Sequence, residues 1–300
     1  MGEISLRIDP SFAEALAWRA LHRLEALGER DALDVHHRRA ADLYALPDGS
    51  LRERGFTALA VREITDLHLL APIADALRER PAVASRADRA LVGEADGRAG
   101  EGVTCDAAGR SLGLRLTAAR FDDPGELRGW CRHALGHAED TFDPSFGFEP
   151  GWDAAGVDAA LATRLHALWD VSVDGRAARA ARPVPGASPA RHEVAIAALL
   201  PVAYRSVATS VVERLWSGER PSFAELRDLA AEPARLVGAA SAVLPAGRCP
   251  LCNFPSGSLV VPEADLAAVI AREYPTWRRE TGLCERCLDR YLFAAARGPA

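Results

Sequence analysis

Two histidines in the middle of the chain have the spacing of metal ligands. The segment 131–143, CRHALGHAEDTFD, places His133 and His137 four residues apart and ends in aspartates. On a helix, at about 100° per residue, the two side chains lie about 40° apart on one face and can bind one ion. The segment therefore predicts a divalent metal site, with Zn²⁺ the expected ion. The alternative is an accidental pair that binds no metal.

A second group of metal-ligand residues lies near the C-terminus. CPLC at 249–252 and CERC at 284–287 contain Cys249, Cys252, Cys284 and Cys287. Two C-x-x-C knuckles can close a tetrahedron of thiolates around one Zn²⁺ ion. Because four protein ligands leave no open position, the predicted site is structural. An iron–sulfur cluster uses the same ligands and stays an alternative.

Both motifs resemble known families. The four-cysteine segment is similar to a zinc-ribbon or treble-clef module, with a first pair in a loop and a second pair that opens a helix. HALGH resembles the H-E-x-x-H helix of zincin metallopeptidases, with Ala134 in place of the glutamate. Metzincin-like enzymes place a third ligand six residues after the second histidine. The resemblance therefore implies Asp143 as that ligand.

The third ligand of the histidine site stays open in the sequence. If the helix continues past residue 140, the ligand must come from elsewhere in a helical bundle, as in DinB-type proteins. The candidates include Asp170 and Asp174, although these two first indicate a salt-bridged helix end. The remaining candidates are His36, His37, His68 and His166.

The absence of a glutamate at position 134 affects the activity that can be expected of the histidine site. A zincin needs a general base beside the metal-bound water, and Ala134 has no carboxylate. Glu139 points away from the histidine face of the helix, whereas Glu149 lies in the loop beyond and could fold back. Glu149 is therefore the candidate catalytic base of a rerouted site.

Helical patterns dominate the rest of the sequence. Asp123 at the N-cap and Pro124 at the first helical position predict the start of the helix that carries the histidines. A hairpin is predicted near 103–118. We expect a mainly α protein, or α+β if the hairpin forms, with a helical body over 1–245 and a zinc-binding module over 246–300.

Composition excludes several classes of function. The 300 residues carry a net charge of −6, which disfavours general binding to nucleic acid or anionic lipid. The N-terminal segment lacks the basic and apolar regions of a signal peptide, and no apolar run is long enough to span a membrane. We therefore expect a cytoplasmic protein with reduced cysteines, of which Cys105 and Cys131 are small buried residues rather than ligands.

Two functions follow from these observations. The first is a metal-binding, zincin-like protein whose peptidase-like hydrolase activity is lost or rerouted. The alternative is a non-enzymatic adaptor whose four-cysteine module docks a protein or peptide partner, with nucleic acid less favoured because of the acidic net charge. The basic and aromatic residues of that module are Trp277, Arg278, Arg279, Arg286 and Arg290. The sequence does not predict an oligomeric state.

Overall fold

The fold is mainly helical with small β-sheets, as the sequence predicts. The computed structural model describes residues 4–106, 108–152, 158–200, 205, 207–231, 243–244, 247–257 and 259–296. The chain forms two compact units, one of residues 1–148 and 177–186 and the other of residues 149–176 and 187–300. The predicted boundary between a body and a module at 245/246 falls on residues outside the described ranges, and it stays a prediction.

The first unit contains a four-stranded sheet in the order β1-β2-β4-β3. Its strands are β1 (Ser5–Ile8), β2 (Arg89–Glu94), β3 (Gly102–Asp106) and β4 (Ser111–Leu116). The predicted hairpin is confirmed, since β3 and β4 pair antiparallel with Val103 opposite Leu114. The two other pairings, β1 with β2 and β2 with β4, are parallel and were not predicted.

The helices of the first unit pack with this sheet around one apolar core. They are α1 (Pro10–Ala26), α2 (Asp31–Tyr44), α3 (Gly49–Asp66), α4 (Ala71–Arg78), α5 (Pro81–Arg86) and α6 (Pro124–Phe142). Large side chains of the core include Phe12, Leu16, Ile73, Leu112, Leu114, Leu127 and Leu135. Burial of this apolar surface is the main stabilising term for the unit.

Helix α6 begins where the sequence predicts. The carboxylate of Asp123 accepts hydrogen bonds from the backbone N–H groups of Gly125 and Glu126, at 2.8 and 3.1 Å. Pro124 takes the first helical position, where no N–H is needed. One face of α6 enters the core through residues that include Leu135 and Phe142. This packing fixes the rotation of the helix and therefore the direction of the histidine face.

Helix α7 (Ala159–Arg179) follows, and the second unit also contains α8 (Pro189–Leu199), α9 (Ala208–Ser217) and α10 (Phe223–Ala231). The sequence pattern of HEVAIAALL…VVERLW predicts one helix, but the structure has two. Helix α8 ends because Leu200, which precedes a proline, has an extended backbone with ψ 145°. A residue before proline is disfavoured in the helical region.

The C-terminal segment builds its own small core. It contains α11 (Ala264–Glu273), α12 (Glu285–Ala296) and the short strands β5 (Val243–Leu244), β6 (Gly247–Arg248), β7 (Pro255–Ser256) and β8 (Leu259–Val260). Its buried cluster includes Ile270, Trp277, Leu283 and Tyr291. Val260 and Leu283 exchange backbone hydrogen bonds of 2.8 and 2.9 Å. This pairing holds β8 beside the second cysteine pair.

Within the described residues, no helix combines the length and the apolar character needed to cross a membrane.

Candidate metal centres

Short local structures place the four cysteines. Strands β6 and β7 pair antiparallel and carry the first knuckle between them. The knuckle is closed by hydrogen bonds from Cys249 N to Phe254 O at 2.9 Å and from Asn253 N to Cys249 O at 2.8 Å. Asn253 adopts φ +58°, a left-handed conformation that asparagine tolerates better than most residues. The second knuckle opens α12, where Cys287 N donates to Cys284 O at 3.0 Å.

The four sulfur atoms are arranged as ligands of one ion. All four lie within 4.8 Å of one another, and the Sγ atoms of Cys252 and Cys284 are 3.6 Å apart. A tetrahedral zinc ion with Zn–S bonds of about 2.3 Å would separate its sulfurs by about 3.8 Å. A disulfide would need about 2.05 Å, and all four cysteines are free thiols. The cluster could therefore hold a metal ion.

Electrostatics within the cluster also favour a cation. Burial raises the pKa of the Cys249 thiol, but N–H groups of Cys284, Cys252 and Leu251 donate to its sulfur and bring the pKa to about 7. Burial and the crowding of the neighbouring sulfurs raise the pKa of Cys284 and of Cys287. Because four adjacent thiolates repel one another, they can coexist only around a positive ion.

The two remaining thiols are unlike these four. Burial raises the pKa of both Cys105 and Cys131 to about 12. Cys131 is fully buried in the core of the first unit, and Cys105 packs against that core. Cys131 is therefore a small buried side chain, as predicted, whereas Cys105 is only partly buried.

His133 and His137 meet on one face of α6, as their spacing predicts. Their Nε2 atoms are 3.3 Å apart, and the rings are half-buried and inclined at 71°. Two imidazoles on one tetrahedral ion, with Zn–N bonds of about 2.0–2.1 Å, have nitrogens about 3.4 Å apart. The same distance fits an N–H···N hydrogen bond between the rings. The pair is thus preorganised for an ion without being strained in its absence.

Asp170 of α7 offers a third ligand. One carboxylate oxygen of Asp170 and one ring nitrogen from each of His133 and His137 lie within 4.8 Å of one another, so this group could hold a metal ion. Two histidines and one carboxylate leave coordination positions open for water or substrate. Such a set is typical of catalytic zinc and of non-haem iron, rather than of structural sites.

Asp143, the third ligand implied by the metzincin resemblance, is the C-cap residue of α6. Its Oδ1 accepts hydrogen bonds from the N–H and the hydroxyl of Ser145, at 2.9 and 2.8 Å. It does not belong to the three-residue group around Asp170. Its role as a ligand stays a prediction, and mutation can test it against Asp170.

Several other third-ligand candidates have contacts elsewhere. His36 lies 3.8 Å from the buried carboxylate of Glu63. Asp174 lies 3.0 Å from the Nε2 atom of His192. The ring of His166 packs against an indole ring at 4.9 Å. Within the part of the chain that the structure describes, Asp170 is the candidate that groups with both histidines.

The position that holds a general base in zincins is filled by Ala134, which is 4% exposed. Both nearby glutamates form ion pairs. Glu139 contacts Arg80 Nη1 at 2.5 Å, and Glu149 contacts Arg227 Nη1 at 2.5 Å. The carboxylate of Glu149 thus already accepts a hydrogen bond from Arg227, and its role as a base stays a prediction.

The sequence offers Asp170 as one of several candidate ligands and does not distinguish it from the others. The ligand comes from a helix that is distant in sequence from α6, and no local spacing connects the two. The only available signal was that Asp170 and Asp174 lie one helical turn apart, as the two histidines do. The pairing of Asp174 with His192 had no signal in the sequence.

No family model matches this chain, and comparison with curated proteins and with solved structures found no match.

Proposed function

We propose that this chain binds two metal ions, a structural zinc ion at the four cysteines and a divalent ion at His133, His137 and Asp170. The second ion is the functional centre. The observation that carries the proposal is the closeness of three ligand atoms of suitable chemistry, all within 4.8 Å. Three protein ligands keep positions open, and a bound water there would be polarised and more acidic than in bulk.

The type of reaction follows from the ligands and from the missing base. A polarised water at a two-histidine, one-carboxylate site is the nucleophile of metal-assisted hydrolysis. The zincin-like helix supports this class, whereas Ala134 removes the base that peptidases of that type use. We infer a zincin-like hydrolase centre whose original mechanism is lost or rerouted through a different proton acceptor.

Metal content tests the proposal most directly. We expect about two equivalents per chain in the wild type by elemental analysis, because the two ligand sets are independent. His133→Ala and Asp170→Ala should each lower the content by about one equivalent, and zinc at the four cysteines should remain. The exposed residue His22 provides a matched control, and His22→Ala should change nothing.

Two outcomes would contradict parts of this assignment. If Asp143→Ala removes the second ion and Asp170→Ala does not, the metzincin-like ligand set is correct. If His133→Ala leaves the metal content unchanged, the histidines form only a hydrogen-bonded pair, and the chain has no functional metal centre of this kind.

The surface of the C-terminal segment supports a second candidate function, an adaptor. Phe254 and Phe293 are 61% and 62% exposed, which is unusual for phenylalanine in a small domain. Leu292 is also exposed. These side chains would suit a protein or peptide partner. A content of one zinc per chain, with none at the histidines, would favour this function over the first.

A further inference from the structure

A cavity of about 180 Å³ lies within the first unit, between the C-terminal half of α1, the turn that follows α3 and the short 3₁₀ helix Ala118–Asp122. The apolar side chains that line it include Leu16, Ala20, Leu24, Leu67, Leu69 and Phe121. None of its lining residues belongs to either candidate metal centre. The cavity is therefore a separate candidate site for a ligand.

The walls of the cavity are held by the core and by a constrained turn. Leu16 is 1% exposed and belongs to the core of the unit. Leu67 and Leu69 flank His68, whose φ of +53° is uncommon for a residue with a side chain. The N–H of Leu69 donates to the carbonyl of Ile64 at 3.0 Å and closes this turn. Because the core and the turn hold the walls apart, the cavity does not collapse readily and leaves room for an apolar group.

The size of the cavity limits the ligand. An apolar cavity of about 150 Å³ stays dry and can bind benzene. A volume of about 180 Å³ therefore suits an apolar group of roughly six to eight carbon atoms. The transfer of such a group from water into the cavity is favourable in proportion to the apolar area that it covers.

Two arginines of α1, one helical turn apart, line the same cavity and differ in their contacts. Arg19 donates two hydrogen bonds to Asp122, from Nε to Oδ1 at 2.9 Å and from Nη2 to Oδ2 at 2.5 Å. Both oxygens of Asp122 are therefore engaged, and the two charges offset each other. Arg23 is exposed and forms no ion pair with any residue that the structure describes. The lining thus has one positive charge in excess, which favours an anionic group on the ligand.

We propose that this cavity binds a small monocarboxylate whose apolar group has roughly six to eight carbon atoms. The carboxylate pairs with Arg23 at the mouth of the cavity, and the apolar group lies against Leu16 and Phe121. A carboxylate suits this place because a guanidinium group binds it through charge-assisted hydrogen bonds. The inference does not depend on either metal centre.

Isothermal titration calorimetry of the full-length protein with octanoate and with octan-1-ol tests the proposal. We expect the wild type to bind octanoate. Arg23→Gln should weaken octanoate binding by about two- to fivefold, the effect of one partly exposed charge pair, and leave the affinity for octan-1-ol unchanged. Arg38→Gln, which removes an exposed arginine of α2, should change neither affinity.

Filling the cavity provides a second test that does not involve charge. Ala20→Phe adds a ring to the cavity wall and should lower the affinity for octanoate by about tenfold or more. Ala26→Phe, at an exposed position of the same helix, should leave the affinity unchanged. If circular dichroism shows that Ala20→Phe is unfolded, Ala118→Phe takes its place, since Ala118 also lines the cavity.

Three results would overturn the inference. If the wild type does not bind octanoate, or if a folded cavity-filling variant binds it as tightly as the wild type does, the cavity is not the ligand site. If Arg23→Gln changes the affinities for octanoate and octan-1-ol equally, or changes neither, Arg23 does not recognise a carboxylate and only stabilises the C-terminal turn of α1.

Discussion

At the scale of single residues, carboxylates rather than histidines decide what the metal site can do. The two histidines and Asp170 form a group that could hold a metal ion, and three protein ligands would leave a coordination position open. Glu79 shows how another carboxylate supports the helix that carries them. It binds Arg128 and Arg132 of α6 at 2.7 and 2.8 Å.

The Glu79 contacts predict a pH-dependent contribution to stability. Hydrogen bonds from Arg132 lower the pKa of Glu79. Burial opposes this effect and hydrogen bonds from Arg128 add to it, so the pKa falls from 4.5 to about 2. Because the folded pKa is lowered, the contribution is complete above about pH 4.5 and is lost as the pH falls toward 2. Glu79→Gln should therefore lower the free energy of unfolding by about 1–3 kcal/mol at pH 7 and have little effect near pH 2.

Urea unfolding of the wild type and of Glu79→Gln at pH 7, 5 and 3 would measure this effect. The exposed residue Glu53 provides the control, since Glu53→Gln should change stability by a few tenths of a kcal/mol at any of these pH values. If Glu79→Gln lowers the free energy of unfolding by the same amount at pH 7 and at pH 3, the ion pairs do not cause the stabilisation.

At the scale of elements, α7 and α9 approach each other closely because Gly175 has no Cβ atom. A Cβ atom at Gly175 would lie 2.4 Å from the carbonyl oxygen of Trp216 and 2.6 Å from its Cα. The helices therefore meet backbone to backbone beside Asp174. This contact keeps the Trp216 ring next to His192.

Gly175→Ala should therefore destabilise the protein, although alanine is the better helix former. We expect a loss of about 1–3 kcal/mol from the steric conflict, which exceeds the gain of about 1 kcal/mol from helix propensity. Gly49→Ala is the matched control, because nothing approaches its Cβ position closer than 4.0 Å. Thermal unfolding of both variants would measure the difference in stability. If Gly175→Ala is more stable than the wild type, α9 can shift away from the added methyl group at little cost.

At the scale of the whole molecule, we expect the C-terminal segment to depend on the proposed zinc ion more than the helical parts do. Its buried cluster contains about a dozen residues, too few to stabilise a fold of this size without a metal or another cross-link. The first unit, by contrast, has a continuous core between sheet and helices.

Cys284→Ser should therefore release zinc and expose the segment after residue 245 to protease, while the helical circular dichroism signal decreases only in part. Cys105→Ala, which removes a thiol outside the cluster, should keep the zinc and the protease resistance. Limited proteolysis with mass spectrometry would locate the cleavage sites. Full zinc content and full resistance in Cys284→Ser would show that the four cysteines are not a metal site.

The sequence by itself determined the features that depend on local spacing. The N-cap at Asp123, the histidine pair on one face of α6, the hairpin of β3 and β4, and the two cysteine knuckles all follow from residues within a few positions of one another. Their physical causes, capping, helix periodicity and turn geometry, act over one or two turns of chain.

Only the tertiary structure decided the features that join distant segments. Strands β1 and β2 pair in parallel across a long helical crossover, so no hairpin signal connects them. Asp170 and the pair of Asp174 with His192 come from helices whose rotation depends on the packing of their apolar faces. Many arrangements of the helices are compatible with the same local hydrophobic pattern, and side-chain packing selects one of them. The local pattern alone therefore does not specify which carboxylate lies near the histidines.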